Sequence, residues 1–149
     1  AWDKAMIAEG FRQMSLAIAG DRLTAYHLEA GIASVHAAAP HFGATDWAQL
    51  GRYYDALLEV APSPVVEINR AIAVAMHQGP EAGLRLLEPL RVQMIVQTYL
   101  PFHLAVGELE LRRGQRDLAR TAFTAALGLA MSEQERKLIA GKLQQAADA

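Results

Sequence analysis

Five histidines, four tyrosines and a short run of arginines are the side chains of this 149-residue sequence that have most to offer chemically. His27, His36, His41, His77 and His103 include no HExxH motif and no pair at i,i+4 on one helix face, the spacing that turns two imidazoles toward one metal ion. No metal or other cofactor is therefore expected. His36 and His41 flank an expected helix end, where a cation is favoured by the C-terminal dipole. Glu108/Glu110 and Glu133/Glu135 are carboxylate pairs, but i,i+2 spacing makes them diverge on a helix, and Arg and Lys surround both. They read as solvated faces rather than as a general acid with its base. Ser15, Ser34, Ser63 and Ser132 lack a nucleophile-elbow context, and no glycine loop is placed to cradle a phosphate. The chain has no cysteine, which removes thiol nucleophiles, Cys-type zinc sites and disulfides. No catalytic constellation is visible, and the expectation is a non-enzyme.

Binding chemistry is better represented. Tyr26, Glu29, Tyr53, Tyr54, Asn69 and Arg70 form a polar and aromatic set of the kind that lines a groove and grips an extended peptide. A structural reading stands beside this one. Tyr54 can belong to the core, and Asn69, in the stripe Val66-Asn69-Ala73-Met76, can hydrogen-bond an interhelical loop from a buried position. Arg70 shares its polar side with Glu67. Arg112, Arg113, Arg116 and Arg120 make a local positive cluster offset by Asp117. Without interleaved aromatic residues this cluster reads as the exposed rim of a helical hairpin rather than as a nucleic-acid surface. The net charge of −2 points the same way, because phosphate neutralisation needs an excess of clustered Lys and Arg.

The elements that must position these residues are helices. Composition is 52% hydrophobic and 20% charged, as in an ordinary globular protein, and abundant alanine favours helix. No apolar run is long enough to span a bilayer, and the first residues do not form a basic-then-apolar leader. Ile7, Phe11, Met14 and Ile18 predict a helix over 2–18, and Leu28, Ile32, Val35 and Ala39 one over 24–39 stopped by Pro40. Thr45 or Asp46 caps a third helix carrying Trp47, Leu50, Tyr54, Leu57 and Ala61. Ser63-Pro64 opens a fourth, over 64–77, with Val65, Ile68, Ile72 and Ala75 inward, and Gly79-Pro80 separates it from a fifth over 80–91. Leu84, Leu87 and Leu90 are its expected buried residues, and Pro89 should break its last turn. Residues 92–97 have strand-like composition, but with no partner strand in the sequence they read as a linker or frayed turn. Ser132 with Glu135 forms a capping box for a polar last helix reaching about Ala146.

Trp47, Leu50, Gly51 and Tyr54 reproduce the W-x2-L-G-x2-Y half of the tetratricopeptide (TPR) pattern. Gly107, Gly114, Ala119, Phe123 and Ala126 supply the other half: a close approach, a tight turn and an A-x3-F packing pair. Each repeat is imperfect. Ser63 and Glu67 fall where the first repeat should carry its A-x3-F pair, and His103 stands where the second should carry Trp. The expected fold is all-α, a single domain over 1–149 built as a TPR-like right-handed solenoid of about eight helices.

Nearly the whole chain also resembles a known group. Trp2-Asp3 with Ile7-Ala8-Glu9-Gly10, Ala25-Tyr26-His27-Leu28-Glu29-Ala30, Thr45-Asp46-Trp47 and Tyr54-Asp55 are the first matching blocks. Ala61-Pro62-Ser63-Pro64-Val65-Val66, Ile68-Asn69-Arg70-Ala71-Ile72-Ala73-Val74-Ala75, Gly79-Pro80 with Gly83-Leu84, and Glu133 with Glu135-Arg136 follow. Together they resemble the C-terminal TPR-like extension of a group of bacterial extracytoplasmic-function (ECF) RNA polymerase sigma factors. In that group Leu28 is usually flanked by Gln on both sides, where this chain has His27 and Glu29. The resemblance implies a cytoplasmic protein–protein interaction domain controlling transcription initiation. Its partners would be its own sigma domains, the RNA polymerase core or a small regulatory protein. DNA would be reached only through the parent's sigma regions, which are absent here, and no membrane is involved. The rival is a small-ligand sensor gating sigma activity. An apolar pocket rimmed by Tyr26, Tyr54 and Arg70 would favour that rival, and a shallow open groove would favour a protein partner.

Overall fold

The computed structural model describes residues 22–40 and 44–148. Every regular element among them is helical, and none is a strand. The helix expected over 2–18 and His41 lie outside the described residues. Two compact units meet in sequence at Ser63 and Pro64.

The first unit holds α1, running through 22–38, and α2, Trp47–Val60. Between the two candidate caps, Asp46 takes the role: its Oδ1 accepts the Gln49 backbone N–H at 3.1 Å, satisfying a donor that the first turn leaves unpaired. Leu50 and Leu57 are buried, with Trp47, Tyr54 and Ala61 half-buried beside them, so the expected seam is present. On α1 the matching residue is Val35, flanked by half-buried Leu28 and Ile32. The two helices come close where Gly31 meets Tyr53, since a methyl added to Gly31 would lie 2.7 Å from the tyrosine Cε1. In the last turn of α1, the His36 ring stands edge-on to Trp47 with centroids 6.0 Å apart.

The second unit holds α3 (Pro64–Gln78), α4 (Pro80–Leu87), a 3-10 turn (Glu88–Val92), α5 (Met94–Gln97), α6 (Leu100–Arg112), α7 (Arg116–Leu129) and α8 (Glu133–Asp148). Helix α4 stops at Leu87 because Pro89 lacks an N–H and its ring opposes the carbonyl four residues back; the chain tightens into the 3-10 turn instead. Residues 94–97, within the stretch expected as a linker or frayed turn, form one helical turn pinned by fully buried Val96. The inward stripe of α3 is also shifted. Ile68, Ala71 and Ala75 are buried and Ile72 is half-buried, whereas Val65 in the first turn is 44% exposed.

Two apolar clusters hold this unit together. Ile68, Leu87, Leu90, Val96, Phe102 and Leu109 centre the first, and Ala119, Phe123, Ala126, Ile139 and Ala146 the second. Gly114 turns the chain between α6 and α7 at φ +81°, a conformation that a side chain disfavours. Gly107 admits the Phe123 ring so closely that a methyl there would lie 2.4 Å from Cε1. Helix α8 opens on a reciprocal cap. The Glu135 N–H donates to Ser132 Oγ at 3.0 Å, while Glu135 Oε1 accepts from the Met131 N–H at 2.9 Å.

Candidate interaction site

The six residues singled out from sequence are divided between the two units. Tyr26 and Glu29, i and i+3 on α1, are both exposed, Tyr26 at 70% with its ring edge-on to His27. Tyr53 is half-buried against Gly31 and so has a packing role. Tyr54, its neighbour on α2, is half-buried, and desolvation raises its phenol above the ordinary value of 10.0. Asn69 and Arg70 belong to α3 in the second unit, where both are half-buried.

The Tyr54 shift carries a pH dependence whose sign follows from linkage. Below the ordinary phenol value both states keep the proton and Tyr54 has no effect. As pH rises through and above 10.0, the unfolded chain ionises first and folded stability falls. Tyr54→Phe should therefore flatten the alkaline limb of a urea-midpoint-against-pH profile and leave the neutral region unchanged. An identical alkaline limb in the variant would count against this burial.

One concave feature of the second unit was not anticipated. It is a groove of about 410 Å³ running between the 3-10 turn, α6 and α7. Glu88, Arg91, His103, Glu110, Arg113 and Thr121 supply its polar lining, and Val106, Leu118, Ala122 and Ala125 its apolar one. Glu110, expected on a solvated face, is only 4% exposed. Its burial is tolerable because Arg113, one turn later, engages both oxygens: Nη2 donates to Oε2 at 3.0 Å and Nε donates to Oε1. That hydrogen bond is the leading reason why the Arg113 guanidinium is held still more firmly in its charged form, against an opposing effect of desolvation and with help from the negative charges of Glu110 and Glu81. Glu108, two residues before Glu110, points the other way and pairs with Lys142 of α8. The i,i+2 divergence was legible in sequence. Burial of only one member was not, since it depends on which side of α6 the later helices cover.

Arg91, from the 3-10 turn, also lines the groove. Its guanidinium lies 5.6 Å from the centroid of the buried Phe102 ring and forks onto Glu88 at 3.2 and 3.3 Å. The Arg91 carbonyl accepts the Gln97 side-chain amide at 3.0 Å, and the Gln97 carbonyl accepts from His103 Nε2 at 2.8 Å. An acceptor at Nε2 fixes the proton there and leaves Nδ1 as the acceptor of the neutral ring. Of the predicted arginine cluster, only Arg113 lines this groove; Arg112, Arg116 and Arg120 are exposed elsewhere on the hairpin. No group of three or more His, Asp or Glu side chains among the described residues is placed to hold a metal ion. No helix among them is long and apolar enough to cross a membrane.

Among curated proteins, the chain is similar to an uncharacterized protein of Rhizobium meliloti (strain 1021), 38% identical over 138 residues. The match takes in 93% of this chain but 32% of the relative, so the chain spans about a third of the length of the curated protein it matches. No family model and no solved structure matches the chain.

Proposed function

We propose that this chain is a regulatory protein–protein interaction domain of an ECF-type RNA polymerase sigma factor, acting on transcription initiation in the cytoplasm. The observation that carries the proposal is the block from Ala61 to Ala75, whose Pro62-Ser63-Pro64-Val65-Val66 and Asn69-Arg70-Ala71 wording resembles the C-terminal extension of that group. The match to one stretch of a protein about three times longer suits an extension of this kind. The proposal includes a TPR-like stacking of the helical hairpins. Supporting it are the turn at Gly114, the Gly107–Phe123 approach, and fully buried Ala119 and Phe123 at the offsets of the repeat pattern. The partners are the sigma domains of the same protein, the polymerase core or a small regulatory protein, with DNA contacted only by the parent's other regions. A second reading, a small-ligand sensor gating sigma activity, would use the second-unit groove of about 410 Å³, whose lining does not include Tyr26, Tyr54 or Arg70.

The test is transcription from a cognate promoter by the parent protein with and without this segment. Deletion should change initiation several-fold at equal protein concentration. Unchanged initiation would remove the regulatory role. A change that depends on adding a metabolite fraction, rather than a protein fraction, would select the sensor.

A further inference from the structure

We infer that the groove between the 3-10 turn, α6 and α7 receives an acidic, partly apolar peptide segment of the partner, with side-chain carboxylates held by Arg91 and Arg113. This deepens the interaction role proposed above and rests on it. Each arginine uses Nε and Nη2 to grip its own carboxylate, Glu88 or Glu110. The fork fixes the guanidinium plane and leaves the Nη1 donors uncommitted among the described residues. Such a pre-set donor loses little freedom when a ligand arrives. Arg113 is anchored by a carboxylate that is itself buried, and Arg91 is braced over Phe102.

The lining is rich in donors yet close to neutral in charge, because each arginine carries a paired glutamate. Neutrality disfavours a polyanion, whose affinity comes from releasing counterions against uncompensated positive charge. It suits discrete carboxylates taken by directed hydrogen bonds. Nucleic acid would also want an exposed ring to stack on, whereas the ring beneath Arg91 is fully buried. Apolar side chains between the carboxylates would meet Leu118 and Ala125 inside the groove. Outside the groove, the chain following Arg91 exposes Val92, Met94 and Ile95 at 80%, 82% and 67%. Three such residues within four positions are otherwise a surface that water penalises.

The experiment is fluorescence anisotropy with the full 149-residue chain and three labelled probes of equal length: a serine-based peptide carrying two Glu and two Leu (the Glu-Leu peptide), the same peptide with Lys for Glu (the Lys-Leu peptide), and single-stranded oligo-dT. The Glu-Leu peptide should bind, more weakly as salt rises, and the other two should bind at least about tenfold less well. Arg91→Gln removes one clamp from an exposed pair and should weaken the Glu-Leu peptide about tenfold without moving the melting temperature. Ala125→Trp fills the groove without changing charge and should do the same. Equal binding of the Lys-Leu peptide, tighter binding of oligo-dT, or undiminished binding by both variants would overturn the assignment. Failure here is separable from failure of the regulatory reading. If deletion alters initiation but the Glu-Leu peptide does not bind, only the groove assignment falls. If both variants lose the peptide but deletion leaves initiation unchanged, only the regulatory reading falls.

Discussion

Gly83→Ala should destabilise the folded chain by about 1–2 kcal/mol, although alanine is favoured over glycine inside a helix by about 1 kcal/mol. Gly83 is buried in α4. A methyl at that position would lie 2.5 Å from Ala75 Cβ, 2.8 Å from the Ala71 carbonyl oxygen and 3.1 Å from Leu109 Cδ1. Two of those three atoms cannot rotate away. One is the β-carbon of an alanine and one is helix backbone, so α4 must move off α3 as a body and open the contact that buries Ile68 and Leu87. The strain term therefore exceeds the propensity term. Gly141→Ala supplies the internal control: it is exposed in α8, with nothing among the described residues within 4 Å of an added methyl. That variant should be stabilised by up to about 1 kcal/mol. Urea unfolding of the two variants beside the parent chain reads both signs. A stabilised Gly83→Ala would show that α3 and α4 are not as close as described.

The contrast between Gly83 and Gly107 marks how far the sequence could be read. Gly107 was legible because its partner, Phe123, lies one hairpin away at a spacing that a repeat pattern specifies. The need for Gly83 arises from Ala71 and Ala75 on one helix and Leu109 on another, a three-body contact that no local pattern encodes. Capping was legible for the same local reason: Asp46 with Gln49 and Ser132 with Glu135 are three residues apart, and the hydrogen bonds are where the residue types put them. Val65 was placed inward by periodicity alone, yet in the first turn of α3 it is left uncovered. The helix at 94–97 could be read only as a linker or frayed turn because a single turn has no periodicity to detect, and what fixes it is the burial of Val96 against distant residues.

Site residues followed the same division. The tyrosines were recognised as amphipathic groups, but which of them packs and which is exposed depends on the partner helix: Tyr53 lies on Gly31 while Tyr26 is open to water. The groove on the second unit gathers residues from 88 to 125; His103, Glu110 and Arg113 were noticed in sequence, but each in a different context and not as one site. Glu88 with Arg91 and Glu110 with Arg113 are ordinary i,i+3 pairs, which on a solvated helix contribute a few tenths of a kcal/mol. What changes their meaning is that Phe102 underlies one arginine and burial encloses the glutamate of the other.

Gly107→Ala and Phe123→Ala should be strongly non-additive, to the point that the first substitution changes sign in the background of the second. Phe123 is fully buried in the cluster joining α7 to α8, and truncating it to alanine should cost about 3–5 kcal/mol through lost burial and the cavity left behind. A chain of this size has stability on the order of 10 kcal/mol, so the variant remains folded and measurable. Gly107→Ala alone should cost about 1–3 kcal/mol, because the new methyl would meet three atoms of the Phe123 ring at 2.4, 2.6 and 2.8 Å. The ring is fully buried in one cluster with Ile139 and Ala126, which leaves it little room to swing clear. Once the ring is gone the obstacle is gone too, and the methyl enters the space it occupied. Gly107→Ala should then stabilise the Phe123→Ala protein by up to about 1 kcal/mol, the ordinary helix preference plus a little cavity filling. The double variant would thus be more stable than Phe123→Ala alone, with a coupling of about 2–4 kcal/mol in the four-variant cycle. Additivity within a few tenths of a kcal/mol in urea melts would mean that α6 and α7 are held apart by something other than this ring.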